Sequence, residues 1–202
     1  MAHEKMKPES NLQRLFLAFE LPDAVKAALS AVQQELKGSL PKGYVGWSRP
    51  ETMHLTLCFL GNVPEEQTGP LQVALAPVLS AVPEMVLRCE RLGCFPDLRF
   101  PRVLWARVQG EQLEEVQSRI REASEGFRAT AEPGRFTGHV TLGRFRKIGR
   151  RDVEQIASVI RGHVDRQFGT WRAKEVVLFR SELLPAGARH QRLKIWQLAG
   201  GV

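Results

Sequence analysis

The spacing of apolar residues along this chain changes period repeatedly, and each change marks an element. Arg14 to Glu20 (RLFLAFE) is short, rich in aromatic and aliphatic side chains and bounded by Pro22, which predicts a strand. From Asp23 to about Gly38 the period becomes helical. Val25, Ala28, Leu29, Val32 and Leu36 share one face, Asp23 is positioned to cap the start, and Gly38 and Pro41 end the run. A strand is predicted over Met53 to Leu60, stopped by Gly61-Asn62. Glu65 to Val82 is helical again in period; Pro70 is tolerable near its start, whereas Pro77 is expected to kink or split it. A strand near Val86 to Leu92 closes this half.

The second half repeats the order. Val103 to Val108 reads as a strand, and Glu111 to Phe127 as a helix with Leu113, Val116, Ile120, Ala123 and Phe127 inward. Gly138 to Phe145 is the next strand, followed by a helix over Asp152 to about Arg161 with a capping-box-like Asp152-x-x-Gln155. Strands over Glu175 to Ser181 and Arg192 to Leu198 complete the chain. Both halves therefore read strand, helix, strand, helix, strand, an internal repeat at the level of architecture. The pattern predicts an α+β protein of two lobes with pseudo-two-fold symmetry, the first repeat over about 12–93 and the second over about 102–199. Residues 1–11 are expected to form a loose tail.

Within that repeat lies a shorter one. His54-Leu-Thr56-Leu recurs 85 positions later as His139-Val-Thr141-Leu. On a strand, side chains at i and i+2 share a face and stand about 7 Å apart. Each copy thus presents an imidazole and a hydroxyl on one side, while Leu55, Leu57, Val140 and Leu142 turn to the core. An axis between the lobes would bring both polar fronts to one cleft. A single His-x-Thr is commonplace; two copies at matched places in a repeated architecture point to chemistry.

Composition narrows that chemistry. The 202 residues are 43% hydrophobic, enough for a packed interior, and contain no apolar run of membrane-spanning length. Met1 to Leu12 is polar and lacks the apolar centre of a signal peptide, so a cytoplasmic location and no membrane association are expected. Cys58, Cys89 and Cys94 fit no disulfide framework and are expected to be reduced, mostly buried thiols. The net charge is +7, and Arg135, Arg144, Arg146, Lys147, Arg150 and Arg151 fall in one window without an acidic residue, around the second His-x-Thr. Such a window favours a polyanionic partner.

Two imidazoles near neutral pKa can divide the work of displacement at phosphorus: one removes a proton from the attacking oxygen, the other protonates the departing one. The Thr hydroxyls suit the non-bridging oxygens. Arg144 falls on the opposite alternation from His139 and Thr141 unless a bulge or turn at Gly143 redirects it toward the phosphate. A metal site is disfavoured, because neither histidine has helical His spacing, a Cys pair at two-residue spacing or a nearby acidic residue. No Gly-x-Ser-x-Gly elbow exists for a serine nucleophile. His3, His163 and His190 lack a repeat partner and are expected to have surface roles. Trp105 and Trp196, in strands, are expected in the core.

These residues resemble the two-histidine phosphoesterases, and specifically the RNA 2′,3′-cyclic phosphodiesterase (2′-5′ RNA ligase-like) branch. The likeness runs through RLFLAFELP, Trp47-x-x-Pro50, MHLTLCFLGNV, FPDLRFPRVLWARV, GHVTLGRF and VVLFRSELLPAG. It implies a bilobal duplicated fold, two antiparallel sheets with outer helices around a central cleft, and no metal or other cofactor. It implies hydrolysis of RNA or oligonucleotide 2′,3′-cyclic phosphate ends to a 2′-phosphate, with reversal of the same chemistry able to join or cleave a 2′-5′ linkage; a monomer is expected. On this chain the resemblance makes His54 the proton donor and His139 the proton acceptor, with Thr56, Thr141 and Arg144 binding substrate. It departs from the family in the loop Leu184 to His190, where His190 takes about the place of a frequent tyrosine; the only tyrosine is Tyr44. A nucleotide- or RNA-binding module with the same cleft and no turnover is the alternative.

Overall fold

Strand exchange between the repeats organises the molecule. The computed structural model describes residues 11–129, 135–146, 148–149, 152–185 and 187–200, so the tail of residues 1–11 lies, but for Asn11, outside the described residues. The elements are β1 (Leu12–Glu20), α1 (Asp23–Ser39), β2 (Val45–Trp47), β3 (His54–Pro64), α2 (Thr68–Ser80), β4 (Met85–Phe95), β5 (Val103–Gln109), α3 (Leu113–Ala123), β6 (His139–Phe145), α4 (Val153–Arg161), β7 (Gln167–Ala173), β8 (Glu175–Leu184) and β9 (Gly187–Gln197). They form two antiparallel sheets, ordered β3-β1-β8-β9 and β2-β6-β5-β4-β7. The fold is α+β and duplicated, as its periodicity predicts.

The two orders superpose as β3 on β6, β1 on β5, β8 on β4 and β9 on β7. Each repeat builds its sheet from its own first two long strands and then takes the closing strand of the other. β4, from the first half, pairs with β5; β8, from the second, pairs with β1. A single core cluster accordingly runs through both halves, including Leu15, Leu17, Leu55, Leu57, Val140 and Leu142. β1 has no polar face at its centre because both faces are covered. Leu15, Leu17 and Phe19 enter that core, while Phe16 and Ala18 pack with Val177 and Phe179 in a second cluster on the other face.

Several local expectations are corrected. Gly61-Asn62 does not end β3, because Gly61 adopts a positive φ (79°) and the strand continues past it to Pro64. Pro77 does not split α2: it is exposed, like Val73, whose carbonyl it leaves without an intrahelical donor, so water can serve that oxygen. Asp23 lies inside the first turn of α1, with Pro22 at the cap. Asp152 makes no capping hydrogen bond; its carboxylate instead accepts one from the Tyr44 hydroxyl at 2.7 Å. The helix predicted to Phe127 ends at Ala123 and tightens into a 3-10 turn, Glu125–Phe127. β2 and β7 add to the strands that the sequence pattern predicts. Among the described residues no helix is long and apolar enough to cross a membrane.

Candidate active site

β3 and β6 each carry their His-x-Thr on a strand interrupted at the same point. In the first motif Leu17 pairs with Cys58 and Ala18 with Thr56, leaving Leu57 as an extra residue. In the second, Leu104 pairs with Gly143 and Trp105 with Thr141, leaving Leu142 extra. A bulge turns two successive side chains to one side of the strand. Burial records it: Leu57 and Cys58 are both buried, as are Leu142 and Gly143, after which the alternation resumes reversed. Arg144 is thereby returned to the face of His139 and Thr141, and Phe59 to that of His54 and Thr56.

Gly143 is required where it stands. A β-carbon there would lie 2.5 Å from Val45 Cγ1 and 3.2 Å from the Gly46 carbonyl oxygen, because β2 runs alongside β6. Its counterpart Cys58 lies on β3, an edge strand with no such neighbour. Helix α1 fastens the second bulge: the buried Gln33 side-chain amide donates to the carbonyls of Leu142 (2.8 Å) and Ser48 (2.9 Å).

The two motifs line one cavity of about 570 Å³, in which His54, Thr56, His139, Thr141 and Arg144 meet Arg14, Phe16, Phe59, Ser181 and His190. Both imidazoles are held alike. His54 Nδ1 lies 2.8 Å from the Thr52 carbonyl oxygen and His139 Nδ1 lies 2.7 Å from that of Thr137. A carbonyl only accepts, so each Nδ1 donates, which leaves Nε2 of the neutral ring as the group able to exchange a proton.

Their surroundings differ. His54 stacks on Phe16 (ring centroids 4.7 Å apart) and receives His190 edge-on at 5.1 Å. Burial, then His190 and His139, push it down to about 4 against the opposing pull of the Thr52 carbonyl. His139 meets Phe95 edge-on at 4.9 Å and is also held below its ordinary value, by burial and by the Arg144 guanidinium, with the Thr137 carbonyl working against them. His190 is lowered by burial, Arg14 and Arg49.

All five residues singled out from the sequence therefore line one cavity. Of the basic window, Arg144 alone among its described members does so; Arg135 pairs with Glu114 at 3.4 Å, and Lys147, Arg150 and Arg151 lie outside the described residues. His190 is not a surface loop residue: it sits on β9, opposite Ser181 on β8, with its ring against His54. Phe16, Phe59 and Arg14 join the site without a sequence motif of their own. The five-residue offset from His139 to Arg144, applied to His54, is the signal that finds Phe59.

Trp196 is buried, whereas Trp105 is only partly so and faces Gly93 across the sheet, where any β-carbon would strike its ring at 2.3 Å. The cysteines are buried and free of disulfides, and burial pushes the Cys89 and Cys94 thiols up to about 12. Among the described residues no three His, Cys, Asp or Glu side chains come together as a metal site.

Two strands bearing the same motif, each bulged at the same residue and facing one cavity, are the arrangement to which known proteins can be compared. The profile of the family described as LigT like Phosphoesterase matches the chain twice in tandem, over residues 19–105 and 107–190. This chain belongs to that family. Among its relatives, the RNA 2′,3′-cyclic phosphodiesterase of Methanocaldococcus jannaschii is 30% identical over 91% of this chain and 99% of its own. That of Thermus thermophilus is 32% identical over 93% of this chain and 91% of its own. The crystal structure of TT0787, also of Thermus thermophilus, superposes with a TM-score of 0.76 at 28% identity, covering 93% of this chain and 98% of the other. Membership gives the duplicated phosphoesterase fold, and two tandem matches to one family accord with a duplicated chain.

Proposed function

We propose that this protein hydrolyses RNA 2′,3′-cyclic phosphate ends to 2′-phosphates by acid-base catalysis between two histidines, without a metal. One observation carries the reading: both His-x-Thr fronts line the same cavity, each imidazole held by its Nδ1 so that Nε2 is left for proton transfer. The names of the relatives point to the same substrate.

In this scheme a water attacks phosphorus and His139 Nε2 takes its proton. The bond from phosphorus to the 3′-oxygen breaks, and His54 Nε2 supplies a proton to that oxygen, leaving phosphate on the 2′-oxygen. Thr56, Thr141 and Arg144 hold the non-bridging oxygens as charge builds on them. The Arg144 guanidinium adds to burial in lowering the affinity of His139 for a proton, which suits a base. His54 is lowered as well, to about 4, so its part as the acid depends on the arriving phosphate anion raising it again. Joining or cleaving a 2′-5′ linkage is the same chemistry with a ribose 5′-hydroxyl in place of water.

The test is a defined oligonucleotide with a 2′,3′-cyclic end, incubated with excess chelator and analysed by mass spectrometry for the position of the product phosphate. Conversion to the 2′-phosphate is expected. Persistence of the cyclic end across pH 5 to 8, with salt-dependent binding that survives His54→Ala and His139→Ala, would instead assign a binding module.

A further inference from the structure

The pseudo-symmetry that pairs His54 with His139 and Thr56 with Thr141 breaks one step further on, where Phe59 stands at the place of Arg144. The first repeat has an apolar ring where the second has a cation. The ring is not bare. The Arg14 guanidinium lies over Phe59, 4.9 Å from its centroid, brought there from β1 two residues before Phe16, the strand partner of Phe59. Arg14 thus gives the first repeat a cation on the cleft face where the second repeat carries one on its own motif strand.

Arg14 is half-buried and, among the described residues, has no carboxylate in salt-bridge range. Other arginines near this cavity are engaged: Arg189 with Glu182, Arg192 with Glu20, and Arg49 with the Ala188 carbonyl oxygen. Stacking on an aromatic face consumes none of a guanidinium's N–H donors, so Arg14 is positioned by Phe59 while its fork remains open. A partly desolvated cation with free donors facing a cavity is built for an anion.

Arg14 also stands farther from the motif strands than Arg144 does. Arg144 is on the motif strand β6 itself, whereas Arg14 is on β1, one strand behind β3 and next to β8, on the side of the cavity lined by Ser181 and His190. Its anion is therefore not the one between the two imidazoles. We propose that Arg14 binds the phosphate that precedes the cyclic end along the RNA, so that the site takes the 3′ end of an oligonucleotide in preference to a cyclic mononucleotide. This rests on the cyclic phosphodiesterase reading above.

The experiment compares a 2′,3′-cyclic mononucleotide, which lacks that second phosphate, with a dinucleotide ending in the same cyclic nucleotide. Arg14→Ala is expected to lower kcat/KM for the dinucleotide about tenfold more than for the mononucleotide, chiefly through KM. The circular dichroism spectrum and unfolding midpoint of the variant certify the fold. An equal loss on both substrates, or no loss on either, overturns the proposal. Should the wild-type protein hydrolyse neither, the activity reading fails by itself. Calorimetric binding of a dinucleotide 2′-phosphate and a mononucleotide 2′-phosphate then supplies the same comparison without turnover: a loss confined to the dinucleotide supports Arg14 as the second phosphate site, and an equal loss or none overturns it.

Discussion

The imidazole of His54 lies flat against the ring of Phe16, centroids 4.7 Å apart with the planes 27° from parallel. A ring sandwiched this way gives up hydration, and a neutral imidazole loses less by it than a charged one. The unfolded chain has no such restraint. Between the ordinary value of 6.5 and about 4, it binds a proton at His54 that the folded protein refuses. Stability should therefore fall as pH drops through that window, with His54 accounting for about 2 kcal/mol by pH 5. His139 and His190 are also lowered and act in the same direction. His54→Asn, which keeps a donor for the Thr52 carbonyl, is expected to reduce the difference between urea unfolding free energies at pH 7 and pH 5. An unchanged difference would mean that His54 titrates normally in the folded protein.

Removing either motif histidine tests whether the two act as a pair. His54→Ala and His139→Ala should each lower kcat by about 10²–10⁴-fold, and the double variant should lose far less than the product of the two. Single-turnover rates on a cyclic-phosphate oligonucleotide measure this. Fully multiplicative losses would indicate independent roles.

Arg144 should reveal itself in the pH profile as well as in affinity. Its charge adds to burial in holding His139 down, so, with His139 the base as proposed, Arg144→Ala lets it protonate at higher pH and moves the acidic limb of kcat/KM upward. Removing one cation from the phosphate site should also make kcat/KM less sensitive to salt. A profile that keeps its acidic limb in place while KM rises would separate phosphate binding from any influence on His139.

Gln33 is not among the residues that line the cavity, yet it anchors the bulge beside Thr141. Its amide bonds to the Leu142 and Ser48 carbonyls, so Gln33→Leu would take this donor from the part-buried Ser48 carbonyl and leave the Leu142 carbonyl with only the Ser48 N–H. A loss of about 1–3 kcal/mol in unfolding free energy is expected. Because Leu142 is the extra residue that turns Arg144 toward the cavity, KM should rise too, even at temperatures where the variant is fully folded.

The motif strands are legible in the sequence because their chemistry coincides with the simplest backbone period: imidazole and hydroxyl at i and i+2, apolar residues between. What a period cannot express is its own interruption. The sequence allows a bulge at Gly143 only as a condition for Arg144 to reach the site, and the matching bulge at Leu57 leaves no mark, since Leu57 and Cys58 read as ordinary apolar residues. β2, with three residues, falls below the length at which alternation can be recognised. His190 escapes for another reason. The outer strand β9 buries only Trp196, near its end, so its first half around His190 looks like a charged loop. Its place against His54 follows from pairing with β8, which local patterning does not encode.

The pairing of β1 with β8 also dictates when the cavity can form during synthesis. Leu15 finds its partner Arg180 only once the chain has been made through Arg180, and until then that edge of β1 lacks its β8 partner. A nascent first half is consequently not a small enzyme awaiting a second copy but an unfinished sheet, and the finished molecule emerges from both halves at once.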